Sequence, residues 1–275
     1  MTRGWPRPLL GYALTVLVLL PFALPVLWAL LAAFRPAAEL FQAPSRWLPG
    51  SLTLDSFTEA WRLLDFPRFM LNSLLVAVLT VIGTVLSSSL VGYAFATLSG
   101  RGKRVLFALL LATVLLPSAV TLLPLFVLYS RLGWTGSYLP LVVPHFFANA
   151  FYVFLFRQFF RSIPRDVFDS ADLDGCNPLA AFWHVALPLA RPAVATVAVF
   201  AAIASYNEFL EPLVYLTRES SFTMQLGLAF FQGIFGTQLQ YLLPMALVGL
   251  APIAVLFFVA QRAIQQGIVT TGGGR

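Results

Sequence analysis

The chain has 275 residues, of which 10 % are charged and 59 % are hydrophobic, whereas a soluble domain carries about a quarter charged residues. Its mean hydropathy is +0.85 and its formal net charge is +6. These values exclude an ordinary soluble domain. Because the basic residues flank apolar runs and form no stripe, we expect no nucleic-acid partner.

Six apolar runs follow one another along the chain, and each reaches or approaches the roughly 20 residues that a helix needs to cross about 30 Å of hydrocarbon. The first run has 24 residues, more than the about 7–15 apolar residues of a signal peptide, so we expect it to be retained. The predicted fold class is an all-α membrane protein with six transmembrane helices. The predicted spans of the membrane domain, residues 11–263, are 11–34, 70–98, 105–130, 139–160, 190–216 and 241–263.

The distribution of arginine and lysine predicts the orientation in the membrane. With six spans, the N-terminus (residues 1–10) and the C-terminal tail (residues 264–275) share one side. That side carries 11 of the 17 basic residues and the other side carries 6. Because positively charged flanks tend to stay in the cytoplasm, both termini are predicted to be cytoplasmic.

The external segment between the first two spans, residues 35–69, is long enough to contain a short helix. Ser56 and Glu59 have the spacing of a capping box, which predicts a helix from Ser56 to Leu64. This helix could lie on the membrane surface or contact an external partner, and the sequence leaves both alternatives open.

The turn at residues 99–104 contains a Gly-Lys pair, the end of a phosphate-binding loop motif. That motif also needs a glycine where Thr97 stands and a serine or threonine where Arg104 stands. The chain therefore lacks this nucleotide-binding motif, and we expect it to bind no cofactor itself. His145, in the fourth span, has no neighbouring ligand type in the sequence and is interpreted as a packing residue.

Residues 161–189 are too many for a tight connection between two membrane helices and are interpreted as two short helices. The first is predicted to begin at Pro164 and to end at Gly175, and the second to run from Asn177 to Leu187, before Pro188. The second is apolar on most sides. It is expected to bury that surface in a groove of another protein, with the lipid headgroup layer as the alternative.

These residues carry a resemblance to a known family. Permease subunits of bacterial ABC importers have a cytoplasmic signature of Glu-Ala-Ala, three residues, Gly, nine residues, and Ile-x-Leu-Pro. In this chain Asp169-Ser170-Ala171, Gly175 and Val185-Ala186-Leu187-Pro188 stand at the same spacing. From about Phe69 to the C-terminus, the chain resembles the carbohydrate-uptake branch, the maltose and glycerol-phosphate type.

The resemblance implies a type I ABC importer permease fold in a bacterial inner membrane, with residues 161–189 as a cytoplasmic helix-turn-helix coupling segment. It implies that Asp169 pairs with a basic residue of an ATPase, that Gly175 makes the bend, and that Phe182 and Trp183 fill a groove. Ala171, Leu187 and Pro188 match the remaining signature positions. The tail departs from the family's usual ending after Ile268, so a tail contact with the ATPase is only weakly implied.

The implied assembly contains a homologous second permease, a dimer of ATP-binding subunits that holds ATP and Mg, and an extracytoplasmic solute-binding protein. This chain would be non-catalytic and would form half of the path for a sugar or a related polyol or oligosaccharide.

The end of the fifth span carries the candidate solute path: Ser205, Tyr206, Asn207, Glu208 and Glu211. On a continuous helix, Glu208 and Glu211 share a face with Ser205. Two carboxylates at this depth indicate a cavity or a structural hydrogen-bonded pair, and both interpretations stay open. The family commonly has Trp-Asn-Asp here and an aromatic residue where Glu211 stands.

An ion-coupled secondary transporter with Glu208 and Glu211 as coupling sites is the alternative function. An intramembrane enzyme is disfavoured because the spans contain no paired His, Ser-His or metal-ligand spacing. Neither alternative explains the helix pair at residues 161–189.

Overall fold

The computed structural model of the chain describes residues 7–40, 48–233 and 236–272. In chain order its helices are α1 (Arg7–Ala33), α2 (Ala37–Leu40), α3 (Asp55–Leu63), α4 (Phe66–Thr97), α5 (Lys103–Ala112), α6 (Ser118–Arg131), α7 (Leu139–Val142), α8 (Ala150–Ser162), α9 (Arg165–Leu173), α10 (Pro178–Ala181), α11 (Leu187–Leu189), α12 (Arg191–Asn207), α13 (Leu210–Tyr215), α14 (Met224–Ala229) and α15 (Leu239–Gly272). Strands β1 (Gln232–Gly233) and β2 (Gly236–Thr237) pair antiparallel, Gln232 opposite Thr237.

Four helical stretches in the described residues are long and apolar enough to cross a membrane: Leu14–Ala33, Phe66–Thr97, Leu139–Ser162 and Leu239–Gln261. Two helix pairs pass the same test only when they are joined across a bend: Lys103–Leu115 with Ala119–Arg131, and Pro178–Leu189 with Arg191–Asn207. The described part of the chain therefore contains four to six candidate spans. Of the predicted flanks, residues 1–6 and 273–275 lie outside the described residues.

Prolines interrupt two of the predicted spans. In residues 105–130, Leu116 is extended with ψ 117° before Pro117, because the proline ring disfavours a helical conformation in the residue that precedes it. In residues 190–216, α12 stops at Asn207 and Glu208 is extended with ψ 127°. Pro212 has no amide for the Glu208 carbonyl, and its ring crowds that oxygen. The expectation that Glu208 shares a continuous helix with Ser205 was therefore wrong.

The smaller compact unit comprises residues 1–66 and 227–251. Its helix α3 begins at Asp55 without a side-chain cap from the preceding Leu54, and the Asp55 amide donates to Thr53 Oγ1 at 3.1 Å. Glu59 instead accepts a hydrogen bond from the Tyr241 hydroxyl at 3.0 Å. The predicted capping box is therefore not the start of this helix.

The larger unit comprises residues 67–226 and 252–275, and hydroxyl side chains on α4 join its helices. Ser87 Oγ donates to the His145 carbonyl at 2.9 Å and accepts from the Ala148 amide at 3.1 Å. Ser88 Oγ accepts from the Asn149 amide at 3.1 Å. The helical path between α7 and α8 breaks at Ala148, which has φ +65°. The bonds from Ser87 and Ser88 satisfy the backbone groups around this break. In lipid, such freed groups need protein partners.

An aromatic cluster fills the end of this unit where α4, α8 and α10 meet. Tyr93, Phe156 and Phe160 are buried in it, and the Tyr93 and Phe160 rings lie edge to face at 5.7 Å. Gly92 lets α4 approach α8 closely, because a Cβ at this position would lie 2.7 Å from Phe156 Cβ and 3.1 Å from the Arg157 amide nitrogen.

We expect Gly92→Ala to lower the unfolding temperature of the detergent-solubilised protein, since the clash is with backbone and Cβ atoms and such overpacking costs about 1–3 kcal/mol. Gly11→Ala is the matched control, because Gly11 is also helical and nothing lies within 4 Å of its added Cβ. Equal unfolding temperatures for the two variants would contradict the close approach of α4 and α8.

Candidate functional site

The coupling segment turns between α9 and α10 through a Schellman motif. The Cys176 amide donates to the Ala171 carbonyl and the Gly175 amide to the Asp172 carbonyl, both at 3.0 Å. Gly175 has φ +82°, the left-handed conformation that this motif requires. The position needs glycine for its backbone conformation and not for lack of space, since an added Cβ would meet none of the described atoms within 4 Å.

The second helix of the segment starts as predicted, but it continues past its predicted end. Asn177 Oδ1 caps α10 by accepting from the Ala180 amide at 2.8 Å. Residues 182–186 form a π turn in which the Leu187 amide donates to the Phe182 carbonyl. The wider turn accommodates Pro188, which lacks an amide, so the helix runs on to Leu189. The expectation that Pro188 ends it was wrong.

One face of the segment is locked into its own chain. Phe182 is 1 % exposed, and its ring centroid lies 5.4 Å from that of Tyr93. Ala171 and Ala186 are also buried, and the Phe168 ring lies 6.0 Å from Tyr93. Phe182 therefore cannot fill a groove on another subunit, and the role that the resemblance implied for it is corrected to packing within the chain.

The opposite face is open and apolar. Leu173 is 88 % exposed, Leu179 56 % and Trp183 46 %. Asp169 is exposed on α9, as are Asp166, Asp172 and Asp174. Of the two aromatic residues predicted for the groove, only Trp183 belongs to this surface. Leu187 is half-buried and Pro188 is exposed.

A sharp corner joins the segment to the next membrane helix. The helical stretch Pro178–Leu189 meets Arg191–Asn207 at 80°. Backbone hydrogen bonds bracket the corner, since the Ala190 amide donates to the Ala186 carbonyl and the Val194 amide to the Ala190 carbonyl, both at 2.9 Å.

A second site is a cavity of about 110 Å³ between membrane helices, in which polar side chains stand in a mostly apolar wall. Its polar lining consists of hydroxyls, two rings and two carboxylates: Ser73, Thr80, Thr84, Ser205, Thr223, His145, Tyr152, Glu208 and Glu211. No lysine or arginine of the described residues lines it. Three of the five predicted path residues meet here: Ser205, Glu208 and Glu211.

The other two predicted path residues lie elsewhere. Tyr206 is buried and lines a separate, almost wholly apolar groove. Asn207 is exposed, donates to the Ile203 carbonyl at 2.9 Å and accepts from Gln225 Nε2 at 3.2 Å. The reason is helical geometry, because consecutive residues of α12 are about 100° apart around its axis and therefore face different neighbours.

Glu208 combines the two interpretations that the sequence left open. Its Oε1 accepts from the Leu210 amide at 3.0 Å and the Glu211 amide at 3.3 Å, so it stabilises the start of α13. It also lines the cavity. The Glu211 carboxylate, also in the lining, has no hydrogen-bond partner among the described residues.

Sequence reasoning missed the hydroxyls of α4 and Thr223. Ser73, Thr80, Thr84 and Ser87 recur at spacings of seven, four and three residues within an otherwise apolar run. That spacing is a helical period and places them on one face, so the signal was available. His145 agrees with the packing interpretation, since its Nδ1 lies 3.5 Å from Thr84 Oγ1.

Comparisons with known proteins agree with one another. The family model described as binding-protein-dependent transport system inner membrane component matches residues 88–269. The arabinooligosaccharide transport permease of Halalkalibacterium halodurans is 33 % identical over 97 % of both chains. The sulfoquinovosyl glycerol permease of Agrobacterium fabrum is 30 % identical over 90 % of this chain and 87 % of that protein. The diacetylchitobiose permease of Streptomyces coelicolor is 29 % identical over 96 % and 87 %.

The fold also matches a solved structure. The crystal structure of a bacterial ABC transporter involved in the import of the acidic polysaccharide alginate contains a chain that aligns with a TM-score of 0.80. The alignment covers 96 % of this chain and 100 % of that chain at 22 % identity. The predicted all-helical membrane fold of the type I permease class is thereby confirmed.

We expect Gly175→Val to remove the hydrogen-exchange protection of the Gly175 and Cys176 amides, because a left-handed conformation costs an ordinary residue about 1–2 kcal/mol. Gly175→Asn is the matched control, since asparagine tolerates this conformation and should keep most of the protection. Equal protection in both variants would show that the turn does not depend on the φ of +82°.

Proposed function

This chain belongs to the family of binding-protein-dependent transport system inner membrane components, and on that premise we propose that it carries a sugar or a related polyol or oligosaccharide, driven by a separate ATPase. The family consists of non-catalytic permease subunits of ABC transporters, so the chain is not an enzyme. Members work with a second permease, an ATPase and a binding protein. Membership confirms the resemblance drawn from residues 169–188.

The observation that carries the coupling proposal is the two-sided packing of the coupling segment. Its inner face is fixed by Phe182 on Tyr93, while its outer face exposes Leu179 and Trp183. An exposed apolar face rimmed by carboxylates is a surface for a protein partner. In our proposal the ATPase covers this face and a basic residue of that subunit pairs with Asp169.

The same proposal assigns the nucleotide chemistry to the partner. ATP and Mg bind to the ATP-binding subunits, and this chain contributes no cofactor ligand. Closure of the ATPase dimer moves the coupling segment. Because the 80° corner at Ala190 is hydrogen bonded, α12 moves with it as a lever. The outcome is an alternating-access cycle in which the spans open in turn to each side.

The protein is a multi-pass protein of the inner membrane, and we propose that both termini face the cytoplasm. The excess of basic residues on their side, 11 against 6, supports this orientation. It places the coupling segment on the side where ATP is available. The solute-binding protein would then approach from the side that carries α3.

Two features support a carbohydrate as the solute. Relatives include permeases for arabinooligosaccharides, diacetylchitobiose and sulfoquinovosyl glycerol. The cavity presents two carboxylates and several hydroxyls of the described chain. Carboxylates accept hydrogen bonds from sugar hydroxyls. The ion-coupled alternative is not supported, because the family is driven by an ATPase.

We expect Trp183→Ala to abolish most of the solute-stimulated ATP hydrolysis of the reconstituted importer while lowering the unfolding temperature of the isolated chain less than Phe182→Ala does, because Trp183 is partly exposed. A buried aromatic anchor at an interface contributes about 2 kcal/mol or more, and Trp183 is 46 % exposed in the isolated chain. The measurement is ATPase activity in proteoliposomes with and without the loaded binding protein.

Phe182→Ala is the control for this experiment. Because Phe182 is 1 % exposed, its loss should lower the unfolding temperature through a core cavity that costs about 3–5 kcal/mol. Full stimulation in Trp183→Ala would contradict docking of the ATPase on the exposed face.

The Glu211 carboxylate lines the cavity. Glu211→Ala should raise the solute concentration for half-maximal uptake by roughly tenfold or more, since a hydrogen bond to a charged group contributes about 1.5–3 kcal/mol. Uptake would be measured in proteoliposomes with a panel of neutral oligosaccharides. Glu219→Ala is the control, because Glu219 is exposed and does not line the cavity. Unchanged uptake by Glu211→Ala would remove Glu211 from the solute path.

A further inference from the structure

Four cations crowd together where α4 ends and α5 begins. Lys103, Arg161 and Arg165 all lie near Leu98, since the Lys103 ammonium donates to the Leu98 carbonyl and the two arginines line a groove together with Leu98. Arg157 lies one turn before Arg161 on α8 and donates to the Phe95 carbonyl. None of the four makes an ion pair within the described residues. Like charges near one another repel, so an anion from outside the chain would stabilise the cluster.

Two of the cations are held in fixed positions. Arg157 Nε donates to the Phe95 carbonyl at 3.2 Å, and the guanidinium carbon lies 4.1 Å from the centre of the Phe107 ring. The Lys103 ammonium donates to the Leu98 carbonyl. The two carbonyls lie at the C-terminal end of α4, where helix carbonyls lack intrahelical partners. Each side chain therefore uses one of its N–H donors to cap this helix. The remaining N–H donors of Arg157 have no partner among the described residues.

The surroundings place the cluster at the level of lipid headgroups. Directly after it, α5 exposes Val105, Leu106 and Leu109, each about 60 % exposed, on the stretch Lys103–Leu115, which is a candidate span when joined with Ala119–Arg131. Arg157 lies against Phe107 of the same helix. Cations at the boundary of such an apolar belt meet the phosphates of the bilayer before any soluble anion.

A groove of about 500 Å³ continues from the cluster between the ends of α4, α8, α9 and α10. Arg161 and Arg165 line it, together with Asp169 and Asp172 on α9. Those carboxylates lower the positive potential on the α9 side. The potential is therefore highest towards Lys103 and Arg157, which the carboxylates leave unpaired.

We propose that Lys103, Arg157 and Arg161 form a binding site for the phosphate of an anionic phospholipid, held between α5 and α8 at the membrane face that carries the coupling segment. The planar guanidinium groups offer paired donors to phosphate oxygens, and Lys103 adds a point charge. The lipid's acyl chains lie along the exposed apolar face of α5. This site does not depend on the identity of the solute.

The test uses the assembled importer in nanodiscs of phosphatidylcholine with increasing phosphatidylglycerol, and native mass spectrometry measures the lipid retained. Wild type should retain phosphatidylglycerol in preference to phosphatidylcholine. Arg161→Gln and Lys103→Gln should each weaken retention about fivefold, since each basic residue near an anionic surface contributes comparably. Arg131→Gln, at the far end of α6, is the matched control and should leave retention unchanged.

Three results would overturn the proposal. Retention in Arg161→Gln equal to wild type would show that the cluster does not select lipid. An equal loss in Arg131→Gln would indicate diffuse surface charge and no defined site. Displacement of the lipid by millimolar inorganic phosphate would show that the pocket takes a free anion. Arg161 is exposed and its side chain makes no hydrogen bond with the described residues, so its variant separates binding from folding.

Discussion

The structure depends on how backbone polar groups are satisfied where membrane helices break. A proline-rich helix in lipid frees carbonyls and amides that water cannot reach. Between α7 and α8 the freed groups are met by Ser87 and Ser88 of α4. His145, at this break, also lines the cavity. Without the two hydroxyls, the freed backbone groups would lack these protein partners, which is costly in lipid.

The two sides of the coupling segment pack differently. Within the π turn at residues 182–186, Phe182 is buried against Tyr93 and Trp183 is exposed. In the proposed coupling, one side chain anchors the segment and the other contacts the ATPase. The proposal requires both, because a docked surface that is loose in its own chain would absorb the movement.

Much of the fold and of the coupling segment was predictable from sequence because it rests on local chemistry. The six apolar runs, the Asn177 cap and the glycine bend at Gly175 follow from composition and from residue types at fixed offsets. The assignment of Phe182 failed for a non-local reason. Periodicity places both aromatic residues on a helix, but the packing of Phe182 against Tyr93, far away in sequence, shows which of them is buried.

The break at Glu208 was predictable in principle, since Pro212 lies four residues on and cannot bond its carbonyl. The difference in hydrogen bonding between the two carboxylates was not predictable. Glu208 accepts hydrogen bonds from two backbone amides, whereas Glu211 accepts none from the described residues. A carboxylate without donors is costly unless water or a ligand supplies them. Glu211 therefore depends on what fills the cavity for its hydrogen bonds, while two backbone amides anchor Glu208.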